Sequence, residues 1–167
     1  MKNIWDVLAD LAVAAGYCAA TATVKPICHD DPARQEYPQV LLDWAAYHGD
    51  SATFWRRVIR LWPMAIFIPH AEFAAAFRRH RHAWAPSFMA TWNQAAYESL
   101  PDMMTIYRGQ RCDMPLGLTW SLRRDAAERY VFSRHHRIFE RRAALADIAF
   151  VYTDEREDEL VLFEPPA

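Results

Sequence analysis

The 167 residues are 53% hydrophobic and 14% aromatic, enough apolar material to pack one domain and too much for a disordered chain. Lysine and arginine number 19 against 21 aspartates and glutamates, a formal net charge of −2, which excludes a molecule that grips nucleic acid through its overall charge. Cys18, Cys28 and Cys112 are an odd number without metal spacing, which speaks against a disulfide framework and for a reducing, cytoplasmic setting.

The start, "MKNIWDVLADLAVAAGYCAATATV", holds an apolar stretch from Leu11 to Val24, but Asp6 and Asp10 interrupt the place where a secretory signal is basic and then purely apolar. A helix is expected there, with an export signal as the alternative, and no stretch reaches the roughly 20 apolar residues that a membrane span requires. Apolar residues then recur at helical spacing: Val40, Leu41, Trp44 and Tyr47, followed by Phe54, Trp55, Val58, Ile59 and Trp62. Asp50-Ser51, after Gly49, stands where an N-cap belongs, Pro63 closes that segment, and Pro69 punctuates the next. Phe73, Ala76, Phe77 and Trp84 continue the stripe, and "SFMATWNQAAYESL" adds another before Pro101. Aromatics at this period are expected in the core.

Beyond Pro101 the pattern changes. "MMTIYRG" and "LGLTWSL" read as short strands, "RDAAERYVF" as a helix, and "ADIAFVY" and "LVLFE" as strands again. Helices first and strands later predict an α+β fold over residues 1–167. It would be a single domain, mainly helical over 1–100 and strand-rich over 101–167, with a mixed or antiparallel sheet.

Three fragments of the second part carry chemistry. In "IYRGQ", Arg108 closes a strand and offers a planar fork for phosphate or carboxylate oxygens, with Gly109 behind it permitting close approach to the backbone. In "GLTWSLRRDAAERY", Thr119 and Ser121 put two hydroxyls on one side of a strand ahead of a helix. In "YTDEREDELVLF", Glu157 and Glu159 stand two apart at a strand entrance, so in extended geometry both carboxylates project to one side. Each fragment alone also fits a plain turn, an N-cap or a solvated charged loop.

Taken in order, these pieces resemble the arginine–serine–glutamate class of mono-ADP-ribosyltransferases, and "GLTWSLRRDAAERY" is similar to bacterial and phage members. Arg108 matches the motif arginine, Thr119-Trp120-Ser121 the Ser-Thr-Ser element with threonine leading, and Glu157-Asp158-Glu159 the Glu-x-Glu element. The resemblance covers residues 104–163 and implies a split sheet with the helices packed on it. It also implies NAD+ as the substrate, cleaved between nicotinamide and ribose, with glycohydrolase activity as a further outcome, and no metal.

On that resemblance Glu159 would stabilise the cationic sugar, Thr119 or Ser121 would orient it, and Arg108 would bind the diphosphate or the neighbouring ribose. Gly109 would hold the nicotinamide amide, with Tyr107 and Trp120 near the nicotinamide or in the core. Glu157, and Tyr152 read as lying in the loop before the glutamates, would meet the acceptor, with protein arginine favoured and nucleic acid a further option. A toxin-type member would also have a neutralising antitoxin or immunity partner.

The competing expectation is a catalytically silent protein on the same fold, binding nucleic acid or a protein through the arginines of "RRDAAERYVFSRHHRIFERR"; the plain alternative for that stretch is a solvated helix face. His80, His82, His135-His136 and "CHDD" at 28–31 invite a metal, but lack ligand spacing, and the histidines are expected at the surface. Cys112 is expected to pack.

Overall fold

The computed structural model describes residues 38–43, 50–65, 68–153 and 158–166. The expectations for the first 37 residues, Trp44, Tyr47, Cys18, Cys28, "CHDD", Asp154, Glu155 and Glu157 lie outside these residues.

Residues 38–43 are helical. Helix α1, Ser51–Leu61, begins at Asp50, whose carboxylate accepts the Ala52 and Thr53 N–H groups at 3.2 and 3.3 Å, and it ends at the turn containing Pro63. Helix α2, His70–His80, starts directly after Pro69, and helix α3, Thr91–Glu98, follows two short 3-10 turns. Phe54, Trp55, Val58, Phe73 and Phe77 are all buried, as their spacing predicts. Trp62 extends this cluster by packing edge-on against Phe73 at 5.3 Å and against Phe150 of the sheet at 5.5 Å.

The sheet has five strands in the order β3-β1-β2-β5-β4: β1 Met103–Arg111, β2 Thr119–Ser121, β3 His136–Ala144, β4 Ile148–Thr153 and β5 Asp158–Leu162. Every neighbouring pair is antiparallel, which decides between the mixed and antiparallel alternatives. A short helix, α4, Arg124–Glu128, lies between β2 and β3.

Two expectations are corrected here. "HRIFERRAA" is strand β3, paired with β1 along its whole length, and not a continuation of an arginine-rich helix. Phe139 and Ala143 are buried and share a face with exposed Arg137 and Arg141, so burial recurs at every fourth residue and, with the density of arginine, imitates the spacing of a helix. Tyr152 sits inside β4, not in the loop before the glutamates, because β4 runs on to Thr153.

The strand order leaves β4 at an edge, and α3 packs against it. Asn93 of α3 is buried and its Oδ1 accepts both the N–H and the hydroxyl of Thr153, at 3.1 and 3.0 Å. This satisfies an edge-strand donor and fixes the last residue of β4. On the same strand the register shifts between Ile148 and Phe150, and the Trp84 indole donates to the Ala149 carbonyl at 2.7 Å.

Candidate active site

The register sets up the site. Tyr107 of β1 stands opposite Ser121 of β2, Ser121 opposite Glu159 of β5, and Glu159 opposite Tyr152 of β4. Directly opposed residues share a face, so these side chains form one row across four strands. β3 extends the row with Glu140, opposite Tyr107.

β1 and β2 share only the Tyr107–Ser121 pair. Continuing that register would set Gly109 against Thr119, but the strands part, and the Arg108 guanidinium takes the Thr119 carbonyl instead through Nη1. A pocket of about 260 Å³ opens at this parting, lined by Tyr107, Arg108, Gly109, Thr119, Trp120, Ser121 and Glu159 together with Ala126, Ala127 and Tyr130. Arg108, Thr119, Ser121 and Glu159, drawn from three separate stretches of sequence, are therefore brought together. Glu157 lies outside the described residues.

Arg108 is held from several directions. Its Nε donates to Gln110 Oε1, and Gln110 Nε2 in turn donates to the Met114 and Pro115 carbonyls at 2.9 and 3.3 Å. That chain of bonds ties the guanidinium to the β1–β2 connection and leaves N–H groups on its terminal nitrogens for a ligand. Burial pushes the Arg108 pKa down from its ordinary value, and the nearby Glu159 carboxylate acts in the opposite sense.

The Trp62 indole N–H donates to Glu159 Oε1 at 3.1 Å, and Trp62 itself is fixed among Phe73, Phe77 and Phe150. Sequence reasoning placed Trp62 in the core and assigned the orientation of Glu159 to Thr119 or Ser121. Helical periodicity says that Trp62 is buried, but it carries no information about where its one polar atom points. Ser121 Oγ accepts the Arg123 N–H at 3.0 Å, which fastens the entry to α4. Trp120 is buried, with its indole N–H on the Gly117 carbonyl at 2.9 Å, so of its two expected positions it takes the core while still contributing to the pocket wall.

Gly109 has a packing reason to be glycine. A Cβ there would stand 2.0 Å from the Ala127 carbonyl oxygen, so only a bare Cα lets α4 lie against β1 and bring Ala126 and Ala127 to the pocket.

A second residue outside the sequence reading is His70, the first residue of α2. Its Nδ1 is 3.2 Å from the Leu118 N–H and its Nε2 is 3.5 Å from Arg108 Nη2. Burial, with the Arg108 charge beside it, pushes the imidazole down to about 4. A wider groove of about 780 Å³ runs from here past Gln110, Arg111, Met114 and Leu116, and shares Arg108 and Thr119 with the smaller pocket.

Two further residues depart from their expected positions. His80 is buried, contrary to its expected surface position, with Ser51 Oγ 2.8 Å from its Nδ1 and its ring stacked on Phe54 at 4.5 Å. Cys112, expected to pack, is exposed. Among the described residues, no group of three or more His, Cys, Asp or Glu side chains could hold a metal ion, and no helix is long and apolar enough to cross a membrane. Of the arginines read as a binding face, Arg123 pairs with Asp125 at 2.5 Å and Arg124 with Glu128 and Glu140 at 3.4 and 3.9 Å.

Comparison of the chain with protein-family models, curated proteins and solved structures gives no match.

Proposed function

We propose that this chain is a mono-ADP-ribosyltransferase that cleaves the nicotinamide–ribose bond of NAD+ and transfers ADP-ribose to an acceptor. The observation that carries the reading is the cross-strand row Tyr107–Ser121–Glu159–Tyr152 beside Arg108, where the strands part. A ligand site for a whole drug-sized molecule runs to roughly 300–1,000 Å³. At about 260 Å³ the pocket suits one end of a dinucleotide, and the groove beyond Arg108 offers room for the rest.

The chemistry follows from what these groups can stabilise. Breaking the glycosidic bond sends its electron pair to the nicotinamide ring and leaves a cationic, oxocarbenium-like sugar. Glu159 supplies a fixed anion to face that cation, and the Trp62 N–H holds one of its oxygens. Arg108 engages the phosphates. The acceptor nucleophile then bonds to the anomeric carbon and gives up a proton, for which Glu157 is the candidate base. Tyr152, half-buried and opposite Glu159, stands where the acceptor would approach. A guanidinium acceptor fits an acidic neighbourhood best, so protein arginine is the favoured target. A split, ADP-ribosyltransferase-like description of the sheet belongs to the same reading and is supported by the single residue pair joining β1 to β2.

Incubating the chain with NAD+ labelled in its adenylate half and a cell lysate, then separating protein, RNA and DNA, tests activity and acceptor class together. Label in protein that hydroxylamine releases with the lability of an arginine conjugate is expected. Label in nucleic acid would replace the acceptor assignment, and no label or free ADP-ribose in any fraction would contradict the function.

A further inference from the structure

His70 is caught between two donors. The Leu118 N–H points at its Nδ1 and Arg108 Nη2 stands at its Nε2. A neutral imidazole carries one proton and can accept at only one nitrogen. With Nδ1 accepting from Leu118, the proton sits on Nε2 and faces the N–H groups of Arg108, donor against donor. With the proton on Nδ1 instead, the clash moves to the Leu118 N–H. Protonating both nitrogens would conflict with both neighbours, in keeping with an imidazole held neutral far below its ordinary range.

The ring is packed close against Gly117, where an added Cβ would fall 2.5 Å from both Cδ2 and Nε2. An acceptor near Nε2 and Nη2 that takes a hydrogen bond from each would remove the conflict. Both side chains line the wider groove, and Thr119 joins that groove to the pocket containing Glu159.

We propose that His70, as its Nε2–H tautomer, and Arg108 together bind an oxyanion in this groove, namely a phosphate oxygen of a diphosphate. Identifying that diphosphate as the one in NAD+ rests on the transferase reading, whereas the anion site rests only on the two side chains. The other charged groups lining the groove are Glu72, from the same helix as His70, and Arg111, which is paired with Asp113 at 2.6 Å. Arg108 lines both cavities, and His70 stands beside it in the wider groove. Bound there, a diphosphate would lie beside Arg108 with one flank toward the smaller pocket, so His70 is a positioning residue for the substrate and takes no part in bond cleavage.

Titration of inorganic pyrophosphate into the full chain tests this by calorimetry and by the pH titration of the His70 ring protons in NMR. The wild-type chain is expected to bind pyrophosphate, and the His70 pKa to move up from about 4 by about one unit, since a nearby anion favours the charged imidazole. His70→Asn, which keeps an acceptor for Leu118 and removes the outer N–H, is expected to weaken binding about tenfold. Gly117→Ala, which displaces the ring, should do the same.

Absent pyrophosphate binding, an unmoved His70 titration, or equal binding in wild type and His70→Asn would each overturn the proposal. The wild-type titration decides the matter even if a variant fails to fold. Nicotinamide release from NAD+, measured on the same samples, separates the two claims. Pyrophosphate bound at His70 without any release keeps the anion site and removes the transferase reading. Release with an unchanged KM in His70→Asn, together with equal pyrophosphate binding, does the reverse.

Discussion

At the scale of single residues, each charged group of the site is held by specific neighbours. Glu159 is oriented by an indole at the C-terminal end of helix α1, and Arg108 by a glutamine two residues along its own strand and a carbonyl of the neighbouring strand. On the proposed function, a carboxylate that keeps one rotamer would present its charge to the sugar without reorienting during bond cleavage. Replacing Trp62 with Phe keeps most of the buried ring and removes the N–H donor. Under the proposed function, kcat for nicotinamide release should fall on the order of tenfold while KM for NAD+ moves little, because the lost bond serves the cationic transition state. A melting temperature close to wild type, measured alongside, would assign the loss to orientation and not to unfolding. An unchanged kcat would show that Trp62 is only core.

At the scale of elements, the position of α4 depends on one missing Cβ. With only 2.0 Å available to a Cβ at Gly109, and backbone as the obstacle, Gly109→Ala must push α4 away from β1. The expected cost is about 1–3 kcal/mol, the range for overpacking a close contact, readable as a lower denaturant midpoint. Since Ala126, Ala127 and Tyr130 line the pocket, NAD+ affinity should fall as well if the proposed function holds. Stability equal to wild type would mean that α4 is not anchored this way.

What could be read ahead of the structure divides at this same scale. The aromatic stripe of Phe54, Trp55, Phe73 and Phe77 was legible because burial imposes a period on sequence. The N-cap at Asp50 and the breaks at Pro63 and Pro69 were legible because they are local backbone chemistry. Strand β3 was not, since its outward arginines and histidines gave it the composition of a charged helix, and its pairing with β1 is a long-range fact. His70 and Trp62 were hidden for a related reason. Each occupies an ordinary helical position, and only the tertiary fold decides that an imidazole nitrogen meets Arg108 and an indole nitrogen meets Glu159.

At the scale of the whole molecule, the pocket lies at a seam. The β1–β3 pair on one side and the β2–β5–β4 group on the other meet through the single Tyr107–Ser121 pair, so backbone that would have closed the sheet opens beside Arg108. The helices fill the space behind it with the cluster of Phe54, Trp55, Trp62, Phe73 and Phe77, which reaches the sheet at Phe150 and the site through the Trp62 indole. Core and site are thus one continuous construction, and the row Tyr107–Ser121–Glu159–Tyr152 owes its geometry to the sheet register. Comparing nicotinamide release from NAD+ by the wild-type chain and by Glu159→Gln, a near-isosteric change that removes the negative charge and keeps one oxygen to accept the Trp62 N–H, tests the central claim most directly. The account predicts release by the wild type and a loss of at least about a hundredfold in the variant with its fold intact; equal rates in the two, or no release by a folded wild-type chain, would contradict it.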